Sequence, residues 1–275
     1  MPELPEVETV LQALKPHLEN DKFTSINTYI SKLRTPLELS DRTELINQKI
    51  TNLYRRAKYI ILKLENGFGL IIHLGMTGSW RLESTSVQRQ KHDHVEFYLL
   101  SGLVLRYNDP RRFGQIVVFD PKGDIADHKL LVSLGPEPLT DDFNDKYLKK
   151  VCKRRKKPIK SLIMDNSIVV GVGNIYASES LFRAGINPLL EAGGISSSRV
   201  KRLTQAIKDI LQEAIEAGGT TIKDYSSLNG EEGYFARKLM VYGKAGQKCS
   251  QCSRGIIRQA YQAGRSTYYC PVCQR

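Results

Sequence analysis

No apolar run in this 275-residue chain approaches the eighteen or so residues that a bilayer-crossing helix requires, which excludes a helical membrane span. The first residues lack the basic-then-apolar order of a secretory signal, so a cytoplasmic location is expected, which in a bacterium also gives access to the nucleoid. Internal repeats and low-complexity tracts are absent as well, and the chain reads as globular. Acidic residues are in deficit: 29 Asp and Glu stand against 41 Lys and Arg, a formal net charge of +12. That imbalance suits a polyanionic partner better than a neutral metabolite, with nucleic acid ahead of an anionic membrane surface.

Cysteine is scarce, five in all, and its spacing carries the information. Cys249, Cys252, Cys270 and Cys273 read C-x2-C-x17-C-x2-C. In a reducing compartment paired disulfides are disfavoured, and one tetrahedral zinc ion is the default ligand for such a set. Cys152 stands alone and reads as an ordinary buried thiol.

With 41% apolar residues the chain has enough hydrophobic surface for two domains and a small appendage. From Glu6 onward Val7, Val10, Leu11, Leu14 and Leu18 fall at helical spacing, and Pro16 is expected to end or kink that helix. Between about Phe23 and Phe119 the period becomes that of strands, as in Tyr59 to Leu64, Gly69 to Leu74, Val95 to Leu100 and Leu103 to Tyr107. Asn66-Gly67 and Ser101-Gly102 read as tight hairpin turns. An antiparallel β-sandwich or flattened barrel with the first helix packed on it follows. After Gly135-Pro136-Glu137-Pro138 the pattern is mainly helical, over Asp141 to Arg155, Pro158 to Asn166, Asn174 to Ala184 and Ser197 to Ala217, with Gly218-Gly219 as the stop. Thr220 to Tyr234 reads as a mobile polar loop, and Gly255 to Tyr261 with Ser266 to Tyr269 as a hairpin whose tip is Gln262-Ala263-Gly264-Arg265.

The first six residues, Met1-Pro2-Glu3-Leu4-Pro5-Glu6, permit two readings. In one, Pro5, Glu6 and Glu8 simply open a helix, with proline in the first turn and acids favoured by the dipole. In the other, removal of Met1 leaves Pro2 as a terminal secondary amine. An ordinary α-amino group is about a tenth neutral at pH 7. A neutral amine attacks carbonyl-like carbon to give a Schiff base, and a neighbouring carboxyl moves the protons. A chain retaining Met1 would then be inactive.

Other stretches fit a nucleic-acid surface, each with a structural alternative. Lys153-Arg154-Arg155-Lys156-Lys157 is the densest basic run, or a solvated helix face. Gly171-Val172-Gly173 leads into a helix start able to hold a phosphate, where Asn174 is equally an N-cap; the Gly-Lys-Ser/Thr ending of a P-loop is missing. Met76 lies between glycines in His73 to Gly78, and Asp109-Pro110-Arg111-Arg112-Phe113-Gly114 presents two guanidiniums and an aromatic. Such side chains can fill the hole left by an extruded nucleotide, or else Met76 and Phe113 are core residues. His92 and His94 flank Asp93 without a further nearby metal ligand, which favours phosphate contact or packing.

Taken in order, Pro2 to Glu6, His73 to Gly78, Lys91-His92-Asp93-His94, Pro110 to Gly114, Gly171 to Glu179 and the four-cysteine tail resemble the formamidopyrimidine-DNA glycosylase family of bacterial 8-oxoguanine repair, over the whole chain. The resemblance implies an α+β protein with an N-terminal antiparallel β-sandwich domain (1–134), a helical helix–two-turn–helix domain with a lesion-capping loop (135–239) and a zinc finger with a β-hairpin (240–275). It implies a monomer acting on double-stranded DNA that contains oxidised purines or abasic sites. Pro2 would be the nucleophile at C1′, Glu3 the acid/base and Glu6 its support. Lys58 would contact phosphate and assist elimination, and Arg265 would serve the second elimination. Met76, Arg111 and Phe113 match the void-filling triad, with Arg112 on the same loop. His73, His92, Lys160, Asn174 and Tyr242 match positions near DNA or lesion, and Arg155 aligns with a DNA-contacting lysine of some relatives. The Thr220 to Tyr234 loop would cover the extruded base.

The competing readings are an endonuclease VIII-like enzyme for oxidised pyrimidines and a non-catalytic zinc-ribbon protein that binds damaged DNA. Leu4 stands where the endonuclease VIII branch has glycine, and Met76 with the Arg111-Arg112-Phe113 loop also favours the purine-lesion branch.

Overall fold

The structure, a computed structural model, describes residues 2–219 and 235–275. Met1 and the whole of the predicted loop, residues 220–234, lie outside the described residues. The described chain forms two compact units, one running up to Val132 and including Gly218 and Gly219, the other containing Ser133–Ala217 and Phe235–Arg275.

The first unit opens on helix α1 (Leu4–Leu18). Pro5 occupies its first turn, where a missing N–H costs nothing, and the Glu6 carboxylate reaches back to accept the Glu3 backbone N–H at 2.8 Å. Val7, Val10, Leu11, Leu14 and Leu18 form the buried face that the spacing predicts. Pro16 does not end the helix as expected. Its ring is exposed, and the carbonyl deprived of a partner belongs to the exposed Gln12, where water can serve it, while buried Leu18 holds the last turn down.

Eight antiparallel strands follow: β1 (Phe23–Thr28), β2 (Ile50–Arg56), β3 (Tyr59–Leu64), β4 (Gly69–His73), β5 (Ser79–Ser84), β6 (Asp93–Leu99), β7 (Leu103–Asn108) and β8 (Gln115–Phe119). They make two four-stranded sheets, ordered β1-β6-β7-β5 and β2-β3-β4-β8. Ile60, Leu62, Leu70 and Ile72 of one sheet and Trp80, Phe97 and Tyr107 of the other share a single core with the apolar face of α1, which is the expected sandwich. Gly67 and Gly102, at φ +87° and +85°, turn the two predicted hairpins. Tyr59 pairs with His73 across β3 and β4, so Lys58 and His73 emerge from neighbouring strands.

The second unit contains α2 (Asp145–Cys152), α3 (Ile159–Ile163), α4 (Asn174–Arg183) and α5 (Ser197–Glu216), then the hairpin β9 (Arg258–Gln262) and β10 (Arg265–Tyr269). The first two helices are shorter than their patterns predict. Asn144 caps α2 by accepting the Tyr147 N–H, leaving buried Phe143 outside, and after Cys152 the backbone becomes extended at Lys153 and left-handed at Arg154, φ +60°. The basic run is therefore a turn and not a helix face. No helix among the described residues is long and apolar enough to cross a membrane.

Because α1 holds the chain start through its apolar face, truncating Leu14, 2% exposed, should be costly. Leu14→Ala is expected to lower the unfolding free energy by about 2–5 kcal/mol in denaturant titrations, and Gln12→Ala to stay within about 0.5 kcal/mol of the unaltered chain.

Candidate active site and nucleic-acid interface

Chain termini ordinarily fray, but Pro2, Glu3 and Glu6 are all buried. Glu3 stands at the N-cap of α1 in extended conformation, so an amine at residue 2 would be held beside a carboxylate by a rigid element. One turn further on, Glu8 accepts from Arg55 Nε at 2.7 Å, and Arg55 also donates to the Ala57 carbonyl at 3.0 Å. These bonds brace the β2–β3 turn, where Ala57 is left-handed (φ +55°) and Lys58 is 8% exposed. His73 follows on the next strand, with its ring tilted against Tyr59 at 5.0 Å. Burial first, and then the charges of Lys58 and Arg34, hold the His73 imidazole well down, at about 4. Its Nδ1 accepts the Gly75 N–H at 2.9 Å, which leaves Nε2 as the N–H donor of a neutral ring.

Two loops carry the predicted wedge residues, and a buried acid joins them. The Asp109 carboxylate accepts from Thr77 Oγ1 at 2.6 Å on one loop and from the Gly114 N–H at 2.7 Å on the other. Thr77 Oγ1 in turn accepts the Arg111 N–H at 3.2 Å. Gly75 has φ +65°, and a Cβ there would lie 2.3 Å from the Phe113 carbonyl carbon, so only glycine allows the loops to meet. Met76 is half-buried, whereas Arg111, Arg112 and Phe113 are exposed, with the Arg111 guanidinium 5.0 Å from the Phe113 ring centre. Phe113, at 46% exposure, is thus not the core residue of the alternative reading. His94 Nε2 donates to the Asp109 carbonyl at 2.9 Å, so Nε2 carries the proton. Asp93 is ion-paired with Arg81 at 2.7 Å, and the His92 and His94 rings meet edge-on at 6.0 Å.

In the second unit Lys160 is 1% exposed and bonded on several sides. Its Nζ donates to Asn174 Oδ1 at 2.5 Å, Thr267 Oγ1 at 2.8 Å and the Ser266 carbonyl at 3.1 Å. Asn174 is consequently the first residue of α4 and a partner of Lys160, while Gly173 takes the cap position. Asn174 Nδ2 lies 3.5 Å from the Tyr242 hydroxyl, and Tyr242 stacks edge-on against Tyr268 at 5.1 Å. Arg265 is exposed on the hairpin two residues before Thr267, beyond a turn in which Ala263 and Gly264 are both left-handed. Arg155 is exposed, and its backbone is tied to Cys152 and Gly193.

The four cysteines converge as their spacing predicts, with ligand atoms within 4.8 Å of one another. Cys249 and Cys273 sulfurs are 3.9 Å apart and those of Cys252 and Cys270 3.8 Å. A tetrahedral site with metal–sulfur bonds of about 2.3 Å has edges of about 3.8 Å, so the set can bind a metal ion. The Gly255 N–H donates to Cys252 Sγ at 3.3 Å and helps bring that thiol down to about 6. Cys152 is buried with its thiol pushed up to about 11 by desolvation, an inert group as read.

Against this geometry the family model described as formamidopyrimidine-DNA glycosylase N-terminal domain matches residues 1–116, and that of the H2TH domain of the same enzymes matches 134–226. The chain belongs to the formamidopyrimidine-DNA glycosylase family. It is 50% identical to the formamidopyrimidine-DNA glycosylase of Alcanivorax borkumensis, over 100% of both chains, and 47% identical to that of Legionella pneumophila, over 100% of this chain and 98% of the other. Among solved structures it resembles a Lactococcus lactis FPG mutant in complex with Fapy-dG containing DNA, with TM-score 0.92, 37% identity and full coverage of both chains. A complex of the Lactococcus lactis protein with abasic site containing DNA matches with TM-score 0.91, 36% identity and 99% of both chains covered. Members of the family are DNA glycosylases of base excision repair, and this chain is such an enzyme.

Sequence reasoning missed the buried acids that hold the family's residues in place. Asp109 was visible only as a loop residue before proline. Glu179 accepts the backbone N–H groups of Met240, Val241 and Tyr242 at 2.8–2.9 Å and so sets the strand of chain that bears Tyr242. An acid in the middle of the otherwise buried helix α4 was the available signal.

The depressed His73 fixes the sign of a pH effect. The unfolded ring binds a proton below its ordinary 6.5 while the folded ring resists until about 4, so stability falls as pH falls through that window, by about 3 kcal/mol at most. Chemical denaturation at stepped pH should show this slope, and His73→Asn should flatten it.

Proposed function

We propose that this chain removes oxidised purines, 8-oxoguanine and formamidopyrimidines, from duplex DNA and then cleaves the strand at the resulting site. The observation that carries the reading is the burial of Pro2 beside Glu3 at the fixed start of α1. With Met1 removed, the Pro2 amine bonds to C1′ of the damaged nucleotide and the bond from C1′ to the base breaks, the base leaving with a proton. Glu3 protonates O4′ as the sugar ring opens. The nitrogen of a secondary amine then carries an iminium charge that it cannot shed by losing an N–H proton, so the C2′ hydrogen becomes acidic. Loss of that proton expels the 3′ phosphate, loss of the C4′ proton in a second elimination expels the 5′ phosphate, and water hydrolyses the iminium to free the Pro2 amine and the sugar remnant, leaving a one-nucleotide gap.

The remaining side chains divide by chemistry. Glu6 keeps Glu3 in place by the bond already described. Lys58, His73, His92, Arg112, Arg155, Lys160, Asn174 and Tyr242 face phosphate or lesion, His73 through its neutral Nε2–H, a donor suited to an anion. Met76, Arg111 and Phe113 fill the space of the extruded nucleotide. Arg265 assists the second elimination. A single zinc ion held by Cys249, Cys252, Cys270 and Cys273 supplies the cross-link that keeps the hairpin of Arg265 folded. This division corresponds to a catalytic domain over 1–134, a helical DNA-binding domain over 135–239 and a zinc finger over 240–275, working as a monomer in the cytoplasm.

Borohydride added to the protein on an 8-oxoguanine duplex should trap a covalent complex. Glu3→Gln should bind that duplex yet release base at least about a hundredfold more slowly. Absence of any adduct, or normal base release by Glu3→Gln, would contradict the mechanism, and preferential trapping on an oxidised-pyrimidine duplex would reassign the substrate.

A further inference from the structure

The connection from β5 to β6 is exposed over residues 85–91, and such a loop would ordinarily be mobile. Here it is tied down by buried charge. Asp93 is 0% exposed and its carboxylate accepts from Arg81 Nη2 at 2.7 Å, from the Gln90 N–H at 2.7 Å and from Asn108 Nδ2 at 2.8 Å. Asn108 Nδ2 also donates to the Lys91 carbonyl at 3.0 Å, and the His92 carbonyl accepts the Asp109 N–H at 3.1 Å. Earlier in the loop Arg106, 3% exposed, donates to the Val87 carbonyl at 2.7 Å.

The residue enclosed by these bonds is His92, whose φ is +73°. A non-glycine residue adopts that conformation only where its surroundings impose it. The peptide groups on both sides of His92 are pinned, while its ring is half-buried and touches the His94 ring edge-on at 6.0 Å. A buried ion pair adds little net stability by itself, because desolvation offsets the attraction, but it fixes geometry.

We propose that Asp93, with Arg81 and Asn108, is a positioning residue that holds His92 ready for a DNA phosphate. The proposal rests on the DNA contact assigned to His92 above. An amide at position 93 keeps the volume but turns one oxygen into a donor, aimed at groups that are themselves donors.

The test is a double-mutant cycle on binding to a duplex bearing a non-cleavable abasic-site analogue. H92A is expected to raise Kd about tenfold and D93N by a similar factor, and the double variant to be no more than about twofold weaker than either single one. A purely structural Asp93 would give multiplying losses. Multiplying losses, or a D93N chain that binds like the unaltered one while H92A is weak, would overturn the proposal and leave the His92 contact standing. H92A binding at full strength would overturn the contact and the proposal together. Should D93N not fold, R81Q disturbs the same carboxylate from its solvent side and carries the same cycle.

Discussion

Everything proposed for this enzyme depends on anchoring a chain terminus. An α-amino group is a useful nucleophile only if it stays in one place, and the first residues of most chains do not. Here the helix that begins at Leu4 commits Val7, Val10, Leu11, Leu14 and Leu18 to the sandwich core, and the Glu6 carboxylate holds the Glu3 N–H. Burial of five large apolar side chains contributes on the order of 10 kcal/mol, enough to fix the few residues ahead of the helix. Glu8 and Arg55 extend that order to the turn bearing Lys58.

A second theme is the use of buried charge for placement. Asp109 joins the Met76 and Arg111–Phe113 loops and, through its own N–H, the His92 turn. Glu179 gathers three successive amides under Tyr242, and Lys160 links α4 to the hairpin of Arg265 by way of Asn174 and Thr267. Asp109 and Glu179, to which no DNA contact is assigned, thus decide where more exposed residues stand. Such groups are costly to bury unless every lone pair or proton is met. Their partners here are mostly backbone N–H and C=O groups of loops, which would otherwise be mobile.

Patterns with a period were legible in the sequence. The apolar stripe of α1, the strand alternation, the Asn66-Gly67 turn and the cysteine spacing each follow from local geometry. Helix ends were less legible, because Pro16 is tolerated where its neighbour faces water and α2 stops where Arg154 turns left-handed. The residues of the family resemblance could be named from their motifs, but the roles of Asp109 and Glu179 depend on partners far along the chain, Thr77 for Asp109 and Tyr242 for Glu179. Nothing in the spacing of those residues announces such a pairing.

The central claim is that the chain's second residue forms the covalent bond to DNA. The most direct measurement is mass spectrometry of the borohydride-reduced complex after proteolysis and nuclease treatment, read for the peptide that carries the sugar remnant. The account predicts the remnant on the N-terminal nitrogen of Pro2, in chains lacking Met1 alone. A remnant on Lys58 or any other lysine, or on chains that retain Met1, would contradict it.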